Sequence, residues 1–410
     1  MRRFIKTRLS FMMFMQYFVM GSTIPIMSLY LKDNLHFTGS QIAIVLAMSS
    51  IVAFVSPVIG AMVADRLISA ERLLTVCHLI SAVAMTLLVF QRQFAYVVVT
   101  YLAFTLARGP TVALTNAITF HHNPDGTHRF GNIRVWGTIG WIVVALAFGY
   151  VWLHNCGRGT VGDRLPDALK LSAISSVILA LYALALPRAC ALKRDAPVRI
   201  IPRESLAVFR QPKILLVAGL SLTVAVVDHY YYFGMAPFMR HIGFSDAAIM
   251  PMMSIGQAAE VVTMALLGLI LARIGFKAAL TLGIIAEIWR FVALALGGSQ
   301  SLLISGIVCH GMAYALFFTT LYIYIDGFCD KQSRTGLHQL FSIITWGCGS
   351  LCGYLMAGQT LDRFVTHADV PSYRSYWLVP ACISILSLVI VALAFRDTKR
   401  PTSNSVDSNG

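Results

Sequence analysis

Charge is what this chain lacks. Of its 410 residues only 12% are Asp, Glu, Lys or Arg, against 57% that are hydrophobic, and the mean hydropathy is +0.73. A soluble globular domain carries about 25% charged residues. So few charges cannot wet a surface of this size, which excludes a soluble fold. Long polar domains are excluded as well, because apolar runs consume nearly the whole length. A membrane-crossing helix needs roughly 20 apolar residues, so there is room for about a dozen.

Signatures of chemistry are also missing. No H-E-x-x-H, G-x-S-x-G or GK[ST] occurs, which leaves no zinc-protease site, no nucleophile elbow and no phosphate loop. The chain therefore reads as a non-enzyme without cofactor or metal, and any transport must draw on an ion gradient or run downhill. The eight cysteines include no CxxC pair, so neither a disulfide framework nor a metal site is indicated. Cys77, Cys309, Cys348, Cys352 and Cys382 fall inside apolar runs and read as small core residues.

What is present is a series of apolar runs broken by polar loops, at about 11–31, 41–64, 73–91, 94–120, 135–154, 171–187, 214–239, 247–272, 278–298, 301–325, 337–361 and 377–395. These are spans 1 to 12 of an all-α polytopic membrane protein. Span 1 is too long for a cleaved signal peptide and lacks a clear small-residue cleavage site.

The net charge of +14 would suggest nucleic acid in a soluble protein; here it sets orientation, and no nucleic-acid partner is expected. Span 1 follows Arg2, Arg3, Lys6 and Arg8, and the loop from Arg188 to Lys213 carries seven basic residues against Asp195 and Glu204. Arg273 and Lys277 fall on the same side, while the opposite loops are balanced by Lys32 with Asp33 and Asp362 with Arg363. Positive loops stay in the cytoplasm, so both termini are expected there.

The basic loop divides the chain into an N-terminal six-helix bundle (1–190), a linker (191–212), a C-terminal bundle (213–400) and a polar, disordered tail (401–410). A weak repeat links the halves. Gly60-Ala-Met-Val-Ala-Asp65-Arg66 follows span 2, and Gly268-Leu-Ile-Leu-Ala-Arg273 follows span 8. Parallel six-helix repeats with substrate between them are the architecture of major facilitator transporters. The first corner resembles that superfamily's loop motif G-x-L-A-D-R-x-G-R, with Ala61 at one of its glycines. Asp65 and Arg66 there read as gate residues rather than substrate ligands.

Ionisable side chains at mid-membrane are costly and mark function or pairing. Glu260 lies mid-way along span 8, one turn beyond Gln257 on the same face. Such a carboxyl can carry a proton between the two sides, or it can be a protonated structural residue bonded across helices. On span 7, Asp228-His229-Tyr230-Tyr231-Tyr232-Phe233 offers an acid, an imidazole and aromatic faces that stack on bases or sugars; the alternative is an interfacial aromatic belt. Arg134, Thr138 and Trp141 follow i, i+4, i+7 spacing on span 5 and share a face, suited to a polar planar ligand unless Arg134 only marks the membrane boundary. Glu287 and Arg290, three apart on span 9, can pair structurally. Arg108-Gly109-Pro110 interrupts span 4, where a broken helix can expose backbone to a cavity. His78, His310 and His338 each read as a lone, hydrogen-bonded core residue.

These segments resemble the nucleoside:proton symporter family of the major facilitator superfamily. The matching stretches are Met15-Gln16-Tyr17 with Gly21-Ser22, Val63-Ala64-Asp65-Arg66, Pro110-Thr111 with Leu114 and Asn116, Ile133 to Gly140, Gln257 with Glu260, and Arg290-Phe291. Ile133-Arg134-Val135-Trp136-Gly137-Thr138-Ile139-Gly140 is the most specific. The resemblance implies proton-driven nucleoside uptake by a monomer in lipid, with nucleoside bound by Arg134, Thr138, Gln257 and Glu260 and the family's span 5 aromatic at Trp141. The pocket departs from the family pattern: Asp228 and Tyr231 stand where members have amides, and Ala315 stands at the expected span 10 acid. Asp228, with Glu260, is then a candidate proton carrier. The competing readings are the same fold carrying a sugar or aromatic acid, and a transport-inactive sensor.

Overall fold

A computed structural model describes residues 2–55, 69–122, 127–153, 164–187, 203–330 and 333–395. Asp65 and Arg66, most of the linker and the tail lie outside the described residues. Every described element is helical. Among the described residues, nine helices are long and apolar enough to cross a membrane, and Gly39–Val55 is a shorter apolar helix. Within the described residues, helices follow the order of the sequence spans, span 2 as far as Val55, with informative differences.

Span 1 is expected over 11–31, but the helix Arg2–Gly21 ends there and a second, Met27–Asp33, follows after turns. Pro25 explains the interruption, since proline has no N–H to give and disfavours helix in the residue before it. The Ser22 hydroxyl donates back to Val19 O at 2.8 Å. Span 4 divides into Phe94–Arg108 and Thr111–His122 around Gly109-Pro110, as the sequence break implies. Spans 8 and 9 run as one helical stretch, Asp246–Leu296, reversed at Gly275 with φ 77° and ψ 178°. That left-handed φ is open to glycine and strained for other residues, so one residue turns the chain where a loop is expected.

Charge-poor faces point outward: Phe90, Val83 and Leu393 are exposed, as lipid contact requires. Cys352 and Cys382 lie on this exposed surface, which corrects their reading as core residues; their outward position follows from helix phase, which local hydrophobicity does not reveal.

The buried apolar side chains form separate clusters. One holds Leu9, Met12, Leu114 and Ile133 of the first half. Another holds Ile214, Leu280, Phe317 and Phe341 of the second. The third joins the halves, placing Tyr30, Leu31 and Ile42 with Phe238, Met250 and Trp377. Those residues lie at the membrane end away from the linker. Hydrogen bonds joining the halves include Arg240 Nη1 to Asp33 at 2.8 Å at that end, and Ser50 to Ser350 at 2.6 Å deeper in. The halves are thus sealed together at the far end.

Candidate substrate site between the two helical halves

Helix Thr127–Leu146 presents Arg134, Thr138 and Trp141 on one half-buried stripe, while Val135 and Trp136 face outward. Arg134 is not a bare boundary marker: its guanidinium sits over the Tyr17 ring, 4.0 Å from the centroid. A cation over an aromatic face is held by the ring quadrupole and keeps its remaining donors free. Across the interface, Glu260 is half-buried and within electrostatic reach of Arg134 and Asp228. Gln257, one turn earlier, is buried, and its side-chain oxygen has no partner in the protein. A buried polar atom without a partner is uncommon and suits a ligand donor.

The second half contributes a buried ionic cluster. Arg290 is fully buried; its Nη2 lies 2.7 Å from Glu287 Oε1 and its Nη1 lies 3.4 Å from Asp228 Oδ1. The same Nη1 donates to His310 Nδ1. His310 Nδ1 is 3.5 Å from Asp228 Oδ1, and Nε2 meets the Tyr232 hydroxyl at 3.1 Å. The Tyr231 ring stacks on His310 at 4.4 Å and on Arg290 at 4.5 Å. His310 is therefore no lone core imidazole. Its partners come from two other spans, so spacing within its own helix carries no sign of them.

The aromatic run after Asp228 does not line a single surface, because successive helix residues turn by about 100°. Asp228, Tyr231 and Tyr232 face the cluster. His229 instead donates to Ala225 O at 2.8 Å and packs on Trp346 and Tyr354. Tyr230 reaches Thr360 and the Tyr376 carbonyl at 2.7 and 2.8 Å. Tyr314, half-buried, lies within electrostatic reach of Glu260, Asp228 and Tyr17, next to the fully buried Ala315.

The remaining candidates are placed elsewhere. His78 meets Gln16 Oε1 at 3.0 Å, and Gln16 Nε2 donates to Thr111 at 2.7 Å. His338 contacts Asp326 at 3.1 Å. Arg108 lies over Phe104 within electrostatic reach of Tyr101 and Tyr354. A cavity of about 560 Å³ at the far ends of spans 7 to 10, lined by Phe238, Phe244, Leu294 and Leu303, contains none of the candidate site residues.

Two helical halves, sealed at one end and facing each other through polar residues at the middle, define a membrane transporter of the major facilitator type. Solved transporters share the fold. The structure of the nucleoside transporter NupG superposes with a TM-score of 0.84 at 22% identity, covering 96% of this chain and 100% of that one. A bacterial homologue of the human lysosomal transporter Spinster gives 0.73 at 14% identity, covering 96% and 95%. The model of the nucleoside H+ symporter family matches residues 3–400, and the chain belongs to that family. Among relatives, the putative nucleoside transporter YegT of Escherichia coli is 29% identical, covering 97% of this chain and 95% of its own. The xanthosine permease of the same organism is 26% identical over 97% of both chains. The chain is accordingly a multi-pass, proton-coupled nucleoside transporter and not an enzyme.

Proposed function

We propose that this protein carries nucleosides into the cell with protons by alternating access, as a monomer of twelve spans in a bacterial inner membrane with both termini in the cytoplasm. The halves would be bundles 1–190 and 213–400 joined by the basic linker 191–212. On that orientation the sealed end faces outward, and the described state is closed to the outside.

The observation that carries the site assignment is the pairing of Arg134 over Tyr17 with Glu260 in electrostatic reach from the opposite half. A ligand between them touches both bundles at once, which is what a rocking mechanism needs. Arg134, Thr138, Gln257 and Glu260 would hold ribose and base, with Trp141 and Tyr231 as aromatic faces and Asp228 behind them. Glu260 and Asp228 are the acids positioned to couple binding to protons, while Glu287 with Arg290 supports the second half. Asp65 and Arg66 would gate the cytoplasmic end. No cofactor is required beyond the proton gradient.

Proteoliposome uptake of labelled adenosine, uridine, inosine and xanthosine, with and without an imposed pH gradient, tests this reading. Gradient-driven accumulation of at least one nucleoside is expected. Uptake that ignores the gradient would leave facilitated diffusion, and preference for sugars or aromatic acids would replace the substrate class.

A further inference from the structure

The ionic cluster of the second half has an imbalance of charge. Arg290 supplies one positive charge, while Asp228 and Glu287 both stand against it, at 3.4 and 2.7 Å. All three side chains are buried. An uncompensated charge in the membrane interior is costly, and one added proton balances this one.

His310 occupies the position where that proton can be exchanged. A guanidinium only donates, so the contact from Arg290 Nη1 requires a bare Nδ1. The ring proton then sits on Nε2 and is donated to the Tyr232 hydroxyl at 3.1 Å. Asp228 Oδ1 waits 3.5 Å from the same Nδ1. The ring thus has two alternative partners at one nitrogen: a donor when neutral, an acceptor when charged.

We infer that His310 is the proton switch of the second half, exchanging Arg290 for Asp228 at Nδ1 as it gains and loses a proton. The proton adds to Nδ1, directly or by way of Asp228, and the bond from Arg290 to that nitrogen breaks. The new Nδ1–H donates to Asp228. Release reverses each step.

The switch is read where substrate sits, because Tyr231 stacks on the imidazole and Tyr232 bonds to it. Span 8 packs on the ring through Gly256, whose added Cβ would lie 3.2 Å from His310 Cδ2, and Glu260 is one turn further along that span. On the ring's own helix the titratable neighbours are Cys309 and Tyr314. From the other spans they are Asp228, Tyr231 and Tyr232, with Arg290 and, behind it, Glu287. This inference rests on the proton-coupled reading above.

The test compares wild-type protein with His310→Gln and His310→Asn in proteoliposomes, using whichever nucleoside of the panel the wild type accumulates best. Gln retains a donor for Tyr232 and Asn an acceptor for Arg290, but neither takes a proton. Accumulation under a pH gradient should fall at least about tenfold, while nucleoside exchange, which needs no net proton movement, keeps at least about a third of its rate. In the unaltered protein, nitrogen shifts of isotope-labelled histidine should show the His310 ring, told apart from the buried His78 by its contact with a co-labelled arginine side chain, passing from the Nε2–H tautomer to the imidazolium on acidification to about pH 5.

Variants that accumulate like wild type overturn the switch, as does a parallel fall of exchange and accumulation. A signal from the arginine-contacting His310 ring that stays neutral throughout also overturns it and does not depend on the variants folding. If the wild type itself shows no gradient-driven accumulation, the proton-coupled reading falls first.

Discussion

Asp362 and Gly39 lie 323 positions apart in opposite halves, yet the Asp362 carboxylate accepts the Gly39 backbone N–H at 2.6 Å. Its second oxygen accepts the Ser40 N–H and hydroxyl, both at 2.7 Å. The first N–H groups of a helix have no internal partner, and a negative charge there is favoured by the helix dipole. The Asp362 loop, balanced on paper by Arg363, is in fact tied to span 2, just as Asp33 is tied to Arg240. These contacts close one end of the molecule.

On the proposed orientation, Asp362→Ala should therefore loosen the outer closure. Hydrogen bonds to a charged group contribute about 1.5–3 kcal/mol, so the ratio of outward-open to closed protein should rise by about ten- to a hundredfold. Spin labels at the exposed positions His36 and His367 would report a longer distance population. An unchanged distance distribution would remove Asp362 from the gate.

Glu260→Gln retains the shape and hydrogen-bonding reach of the side chain but cannot release a proton. If Glu260 couples the gradient to transport, accumulation against a concentration difference should fall at least about tenfold, with binding weakened less. Measured accumulation equal to wild type would sink the proton role of Glu260.

Much of this molecule is legible without coordinates because apolar runs and basic loops are local signals. Arg134, Thr138 and Trp141 are visible on one stripe because helical phase alone puts them there, although the packing of Arg134 over Tyr17 of span 1 is not. The His310 cluster was not legible. Its members Asp228, Arg290 and His310 sit on three spans, and only the pairing of Glu287 with Arg290, three apart on one helix and 2.7 Å apart in the structure, is marked by spacing. The single turn at Gly275 was hidden for a related reason: glycine permits a positive φ, but nothing around it demands one.

Arg134→Lys tests whether a planar guanidinium is required. A lysine keeps the charge but loses the flat stack over Tyr17 and the fork of donors. The cation–π contact contributes about 1–2 kcal/mol when partly desolvated, so apparent nucleoside affinity should drop by about five- to thirtyfold. Equilibrium binding to detergent-solubilised protein gives the number directly; affinity within a factor of about two of wild type would mean that Arg134 serves only as a charge.

Gly311 holds spans 8 and 10 at the separation the proposed switch needs. A Cβ there would fall 1.9 Å from Gly256 O and 2.6 Å from Glu260 N, and backbone cannot move aside as a flexible side chain can. Gly311→Ala must push the two spans apart at the level of Glu260, and overpacking of this kind costs about 1–3 kcal/mol. Gly219 and Gly268 have open space around the same added atom, and alanine is the better helix former by about 1 kcal/mol. Thermal unfolding in detergent should therefore show a lowered midpoint for Gly311→Ala, with Gly219→Ala and Gly268→Ala at or above wild type. Transport should fall with the first variant and persist with the other two, because only the first displaces the Glu260 backbone. Equal midpoints for all three would mean that spans 8 and 10 do not meet closely at this level.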